Sequence, residues 1–341
     1  MAYYRDLYDS SHSRLVNGGY AGAFEHDLML FEGEDIALGR IVNAKTPEDR
    51  FAALADYERA QLKAHDSGNL VGRERYSIEA ASELYDALSR LDDPKEYGSS
   101  AEMPALNYLS FVLARSSSLF WLVPAVISCF CVTSFVKKSK LMGMLPYSAA
   151  EKNLVGALEA FVLGVASVLL ALMPALIVVL ARSGLGDCNY PVVYIQNESV
   201  MQSTLIDTLL RQFLLLVLAI AFVVSVSFAV ASVLRNPLLG VAASFALCLV
   251  PTISGYTGIA AEVEGAQSVL PYLPTTYLSF GEITGYPGAY LAVDILSIPG
   301  ASFGLGVQVL LFSAVVVACA GCVAGRIGRA VRLARRGERH A

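Results

Sequence analysis

Apolar residues are bunched along this chain. Five stretches run without a single charge: Ser116–Val136, Ala160–Ala181, Gln212–Leu234, Asn236–Ala261 and Phe303–Gly325. A helix needs roughly 20 such residues to cross a hydrocarbon core, and it bonds its own backbone polar groups in lipid. Core helices of a soluble protein would carry a charged face over this length. None of the five does, so the pattern predicts about five transmembrane helices in an all-α membrane protein.

Ahead of them the pattern changes. Thr46-Pro47-Glu48-Asp49 is a helix start, with a capping hydroxyl, proline in the first turn and acids near the positive end of the dipole. Phe51, Leu54, Ala55, Tyr57 and Leu62 follow at helical spacing up to about Asp66. A second helix fits Ser77–Leu91, with Ala81, Leu84, Tyr85 and Leu88 on one face, and Asp92–Ser100 reads as a turn or linker. Residues 1–104 are thus expected to form a mainly helical domain. A membrane domain follows over 105–330, then a short basic tail over 331–341.

Composition agrees: the chain is 55% hydrophobic and 16% charged, where soluble domains carry about a quarter. Charge is unevenly shared. Residues 1–115 hold 12 Lys and Arg against 20 Asp and Glu, while 116–341 hold 13 against 10. The bilayer, and not a nucleic acid, is the partner this composition implies.

Lysines and arginines set the orientation. Lys137, Lys138, Lys140 and Lys152 follow the first span, Arg235 follows the third, and six arginines from Arg326 to Arg339 follow the fifth. The two remaining loops, 182–211 and 262–302, hold Arg182 and Arg211 beside seven acids. Basic residues mark the cytoplasmic side. The C-terminus is therefore expected in the cytoplasm and the acidic N-terminal domain outside a plasma membrane. Export of that domain needs a signal, and Leu15–Phe24 lacks the apolar core of one. Either the first span draws the domain across, or a sixth helix precedes Met1; six spans would place both termini inside, which favours the second.

The break at 137–153, KKSKLMGMLPYSAAEKN, is the informative loop. It carries four lysines against one glutamate, a small apolar surface (Leu141, Met144 and Leu145 among it) and a turn at Pro146. Ser148-x-x-Glu151 is a capping-box pattern that restarts a helix. A basic, helix-forming segment between two spans reads as a docking element for a cytoplasmic partner.

Other chemistry is sparse. The chain has no G-x-x-x-x-G-K-[ST] phosphate loop, no H-E-x-x-H and no Cys/His cluster at zinc spacing. No catalytic residue, metal site or directly bound cofactor is therefore expected. Five cysteines lie in spans, Cys188 is alone in a loop, and the N-terminal domain has none, which excludes a disulfide framework there. Glu159, near the start of the second span, is a candidate for the transport path, since an acid in a span is a functional candidate by default. Gly156, Ala160 and Gly164 are spaced for close helix contact, as are Gly321 and Gly325. The segment 268–300 is apolar but broken by Pro271, Pro274, Pro287 and Pro299 and rich in tyrosine. It reads as a re-entrant or interfacial hairpin on the outer face.

Taken in order, these parts resemble the permease subunit of an ABC-2-type ABC transporter over about residues 105–330. The resemblance rests on the lysine-flanked pattern of Leu141, Leu145, Pro146, Tyr147, Ser148 and Lys152, on the spans that follow, and on the proline-rich segment before the last helix. It implies that the loop is a coupling helix seated on a separate ABC ATPase, through Lys140, Leu141, Met144, Leu145, Pro146, Tyr147, Ser148, Glu151 and Lys152. It also implies a homo- or heterodimer of permeases, ATP bound only by the partner subunit, and export as the direction. The family usually has six helices per subunit, so five is a departure. The rival class is a non-transporting sensor or immunity protein that binds a ligand through its outer domain.

Overall fold

The computed structural model describes residues 2–16, 25–69, 72–97, 100–115, 123–132, 149–196, 199–234, 236–249, 269–279, 281–289 and 300–337. The chain is mostly helical. It divides into two compact units. The first comprises Met1–Phe111, Ser183–Leu209 and Gly285–Ser297, and the second Val112–Arg182, Leu210–Thr284 and Ile298–Ala341.

In the first unit, α1 (Ala2–Val16), α2 (Glu25–Asn43), α3 (Pro47–Asp66) and α4 (Arg75–Leu88) pack in sequence. Thr46 caps α3 as its residue type predicts: its Oγ1 accepts the Asp49 N–H at 3.1 Å, with Pro47 in the first turn. Leu38 and Ile41 from α2, Leu54 from α3, and Ile78, Leu84 and Leu88 from α4 fill the core. The face predicted for the second helix is the buried one. That helix starts at Arg75 and stops at Leu88, three residues before Leu91. Charged positions find partners across the bundle: Arg40 with Asp56, Arg59 with Asp86 at 2.6 Å, and Arg73 with Glu58 at 2.9 Å. No described residue of α1 is fully buried.

One element corrects the all-α expectation. Pro191–Gln196 (β1) and Ser199–Thr204 (β2) pair antiparallel, with Pro191 opposite Thr204 and Gln196 opposite Ser199. Val192-Val193-Tyr194-Ile195 is β-branched and aromatic, a run that fits a pleated, buried surface better than a helix. β1 lies against α4. Gly285, at φ +69°, rests on the Tyr194 ring, where a Cβ would sit 2.3 Å from Cδ1, so this position accepts only glycine.

The same unit holds the start of α5 (Ala105–Arg115). The Ala105 and Leu106 N–H groups donate to the carbonyls of Gly184 and Leu185, each at 3.0 Å. Two orphan donors at a helix start are thereby satisfied by a loop that follows in sequence nearly 80 residues later.

The second unit contains α6 (Val123–Val132), α7 (Ala149–Ser183), α8 (Leu205–Leu234, whose first turns belong to the first unit), α9 (Pro237–Leu249) and α11 (Phe303–Gly337). Three of these contain stretches long and apolar enough to cross a membrane: Leu154–Ser183, Leu205–Ala231 and Phe303–Ala324. The first two begin earlier than the charge-free runs did, because the helices continue through Glu159 and through Asp207 and Arg211. The other two runs of the expected five, Ser116–Val136 and Asn236–Ala261, lie only partly within the described residues, as α6 and α9. Asn236 starts α9: its Oδ1 accepts the Leu238 N–H at 3.0 Å, ahead of Pro237 in the first turn.

The proline-rich segment forms no long helix among its described residues. It is built from two 3-10 turns, Leu270–Tyr272 and Pro274–Leu278, and the short α10 (Gly281–Thr284). Proline supplies no N–H for a continuous helix, and here the spacing of Pro271 and Pro274 places one at the start of each turn.

Candidate functional site

Of the residues assigned to the coupling loop, Lys140, Leu141, Met144, Leu145, Pro146, Tyr147 and Ser148 lie outside the described residues. Glu151 and Lys152 fall in the first turn of α7, whose first helical residue is Ala149. From there α7 runs unbroken for 35 residues to Ser183, about 50 Å at 1.5 Å per residue. The segment that restarts after the polar break and the candidate span are therefore one helix. Pro174, inside it, removes one backbone bond to the preceding turn.

The face of α7 that packs is narrow. Gly156, Ala160, Gly164, Val168 and Leu172 are buried at four-residue spacing. A Cβ on Gly164 would stand 3.2 Å from Ile220 Cγ2 and 3.3 Å from the Ala125 Cβ, so α6 and α8 both approach its backbone. The small-residue spacing is thus used inside this chain. Ser128 of α6 and Ser167 of α7 bring their hydroxyls to 3.3 Å while each donates to a carbonyl of its own helix. Glu159 lies off this stripe and is exposed beside Leu158.

α8 is the helix around which the unit is assembled. Leu215, Ala219, Ile220 and Val223 are fully buried. α9 approaches so closely that a Cβ on Gly240 would lie 2.4 Å from the Ser227 carbonyl oxygen, and the Ser244 hydroxyl donates to the Val223 carbonyl at 3.2 Å. α11 meets α8 at Gly321, where a Cβ would be 2.7 Å from Ala229 Cα. Gly321 therefore serves the close contact its spacing predicts.

Sequence reasoning did not find the seat of the 3-10 turns on α11. Tyr277 is fully buried, and its hydroxyl donates to the Pro271 carbonyl at 2.6 Å. Its ring lies over Gly306, where a Cβ would be 2.5 Å from Cδ1. Nearby, Arg211 holds its guanidinium 5.6 Å from the Phe303 ring centroid, a cation–π distance. A glycine one turn into a candidate span, together with a tyrosine in the turn that Pro274 starts, was the available signal.

The acidic first unit has its own polar cluster. The Glu34 carboxylate accepts from Gln61 Nε2 at 2.9 Å, and burial raises its pKa, opposed by that hydrogen bond. Burial likewise raises Glu58, opposed by the Arg73 guanidinium. His12 faces Asp35 at 2.9 Å. These groups tie α1, α2 and α3 together. Among the described residues no group of His, Cys, Asp and Glu could hold a metal ion.

The chain matches no family model, no curated protein and no solved structure.

Proposed function

We propose that this chain is the membrane-spanning permease subunit of an ATP-driven ABC exporter, coupling a separate ATPase to substrate movement. The observation that carries this reading is the continuity of α7 from Ala149 to Ser183. A docking loop can drive transport only if its displacement reaches the spans, and an unbroken helix transmits a push along its axis where a flexible joint would absorb it. ATP-driven closure of the partner subunits pushes on the 137–153 loop. α7 carries that displacement along the buried stripe of Gly156, Ala160 and Gly164, which bears on α6 and α8.

The topology offers a second support. The loop 184–186 follows one candidate span and the hairpin precedes the next, and both belong to the unit that holds α1–α4. If α7 and α8 span the bilayer, the N-terminal helices lie on the same side as that hairpin. The lysines of 137–153 are then on the opposite side, the cytoplasmic one by the distribution of basic residues.

The test is a reconstituted complex with the candidate ATPase. Leu145→Asp or Pro146→Gly should abolish transport-stimulated ATP hydrolysis and co-purification of the ATPase while leaving membrane insertion intact. Full stimulated activity in either inserted variant would remove the docking assignment. A chain that co-purifies with no ATPase and binds a ligand through its N-terminal domain would turn the reading to a sensor.

A further inference from the structure

α11 continues past the end of its apolar stretch. The helix runs 35 residues from Phe303 to Gly337, and the part apolar enough to cross a membrane is Phe303–Ala324. The 22 residues of that part rise about 33 Å at about 1.5 Å each, close to the roughly 30 Å of a hydrocarbon core. Beyond it the character changes at once. Residues 326–337 hold five arginines and no lysine, and α11 has no Asp or Glu anywhere along it, so its own helix cannot neutralise them. Arg326, Arg329, Arg332 and Arg336 recur every three or four residues, which places those positions within about 120° of the helix circumference. Ile327, Ala330, Val331 and Ala334 take positions on the opposite side.

We propose that this arginine stripe binds the phosphate groups of anionic phospholipids at the membrane surface where α11 emerges. Three features select a lipid headgroup over an acidic protein or a nucleic acid. The first is depth. Positions 326 and 329 lie about 3 and 8 Å beyond Ala324 along the helix axis, and the headgroup layer is about 5–8 Å thick on each side. Because the helix is unbroken, that height is fixed by the span itself, whichever face of the membrane it reaches. The second is direction. In an α-helix every Cα–Cβ bond tilts toward the N-terminus, and the N-terminal end here is the membrane end, so positions 332 and 336 tilt back toward the same layer. The third is chemistry. The basic residues of the 137–153 break are all lysine, whereas those of residues 326–337 are all arginine. Membrane orientation counts the two alike, but a guanidinium meets a phosphate through two parallel N–H donors where an ammonium is a point charge. Clusters of about four to eight basic residues beside a span attract anionic lipids. The assignment rests on α11 crossing a bilayer and does not depend on the ATPase-driven reading.

The test uses the full chain, reconstituted into vesicles of equal parts phosphatidylcholine and phosphatidylglycerol and extracted in mild detergent. Native mass spectrometry then reads the ratio of the two lipids retained on the protein, with insertion and orientation checked for every variant. Phosphatidylglycerol should be retained several-fold over phosphatidylcholine, and a high-salt wash should lower that preference by screening the charges. Arg326→Gln, Arg329→Gln, Arg332→Gln and Arg336→Gln together should bring the ratio close to one. Lysine at the same four positions should fall between, because it keeps the charge and loses the fork. The pair Arg332→Gln and Arg336→Gln leaves the arginines nearest the span in place and should still lower the preference by about twofold or more. Lys137→Gln with Lys138→Gln removes positive charge elsewhere and should leave most of the preference intact. Parity between the lipids in the unmodified protein, or a preference that the four glutamines leave unchanged, would overturn the assignment. So would an equal loss in the Lys137 and Lys138 variant. Lipid parity combined with polyglutamate or an oligonucleotide binding the unmodified chain but not the glutamine variant would give the stripe to an acidic protein or a nucleic acid instead.

Discussion

α7 and α8 are similarly apolar and similarly long, yet the fold uses them differently. Half of the apolar stretch of α8 is buried against the rest of the chain, against 17% of that of α7. α8 buries large side chains such as Leu215, Leu216 and Ile220, whereas α7 buries mostly a single row, with glycine or alanine at three of its five positions. Leu158, Val162, Leu170, Ile177 and Val178 of α7 are each more than half exposed. Hydropathy reports that a helix prefers to leave water. It does not distinguish a lipid tail from a neighbouring leucine, because both are apolar.

The contrast can be broken, and the largest effect should come from α8. Leu215→Ala leaves a cavity in a fully buried position and should cost about 2–5 kcal/mol, read as lost thermal stability in detergent; a loss below about 0.5 kcal/mol would remove α8 from the centre of the unit. Next, Gly164→Leu drives a side chain into Ile220 and Ala125 and should cost about 1–3 kcal/mol by overpacking. A neutral result would mean that α7 stands further from α6 and α8 than the Gly164 contacts require. Ser128→Ala should cost no more than about 0.6 kcal/mol, the average for polar contacts between membrane helices, because both serines already donate within their own helices. Smallest of all, Leu170→Ala, at a residue 70% exposed, should change stability by less than about 0.5 kcal/mol. If it instead matched Leu215→Ala, the outer face of α7 would be packed against protein, and the contrast between the two helices would fail.

The two units also differ in how legible they were. Thr46 and Pro47 announce the start of α3 because cap chemistry is local: a hydroxyl and the backbone three residues on are all it needs. The burial of Ala81, Leu84, Tyr85 and Leu88 followed from spacing alone. α1 and α2 went unread because their apolar residues are only weakly periodic. α2 is held by Leu38, Ile41 and the pairing of Arg40 with Asp56, contacts made by distant parts of the chain. β1 had a readable signal in Val192–Ile195, but a short apolar run between two spans reads equally well as loop until α4 and Gly285 are seen to cover it. In the candidate site, the small-residue spacing of α7 was legible as close contact, but its partners were not. Tyr277 over Gly306 joins residues nearly 30 positions apart, and nothing in either local pattern names the other.

What the sequence determined by itself are the properties that short windows of chain possess: long apolar helices suited to a membrane, caps that start helices, and a charge bias between loops. Each depends on neighbours within a turn or two and on the solvent preference of side chains. What only the tertiary structure decided is which apolar faces meet described neighbours, that the loop after α7 bonds the start of α5, and that a strand pair connects α7 to α8. Those outcomes depend on shape complementarity between distant segments: a glycine where a backbone approaches, a buried leucine row where a helix is central. Hydrophobicity is shared by all candidate partners, and packing geometry selects among them.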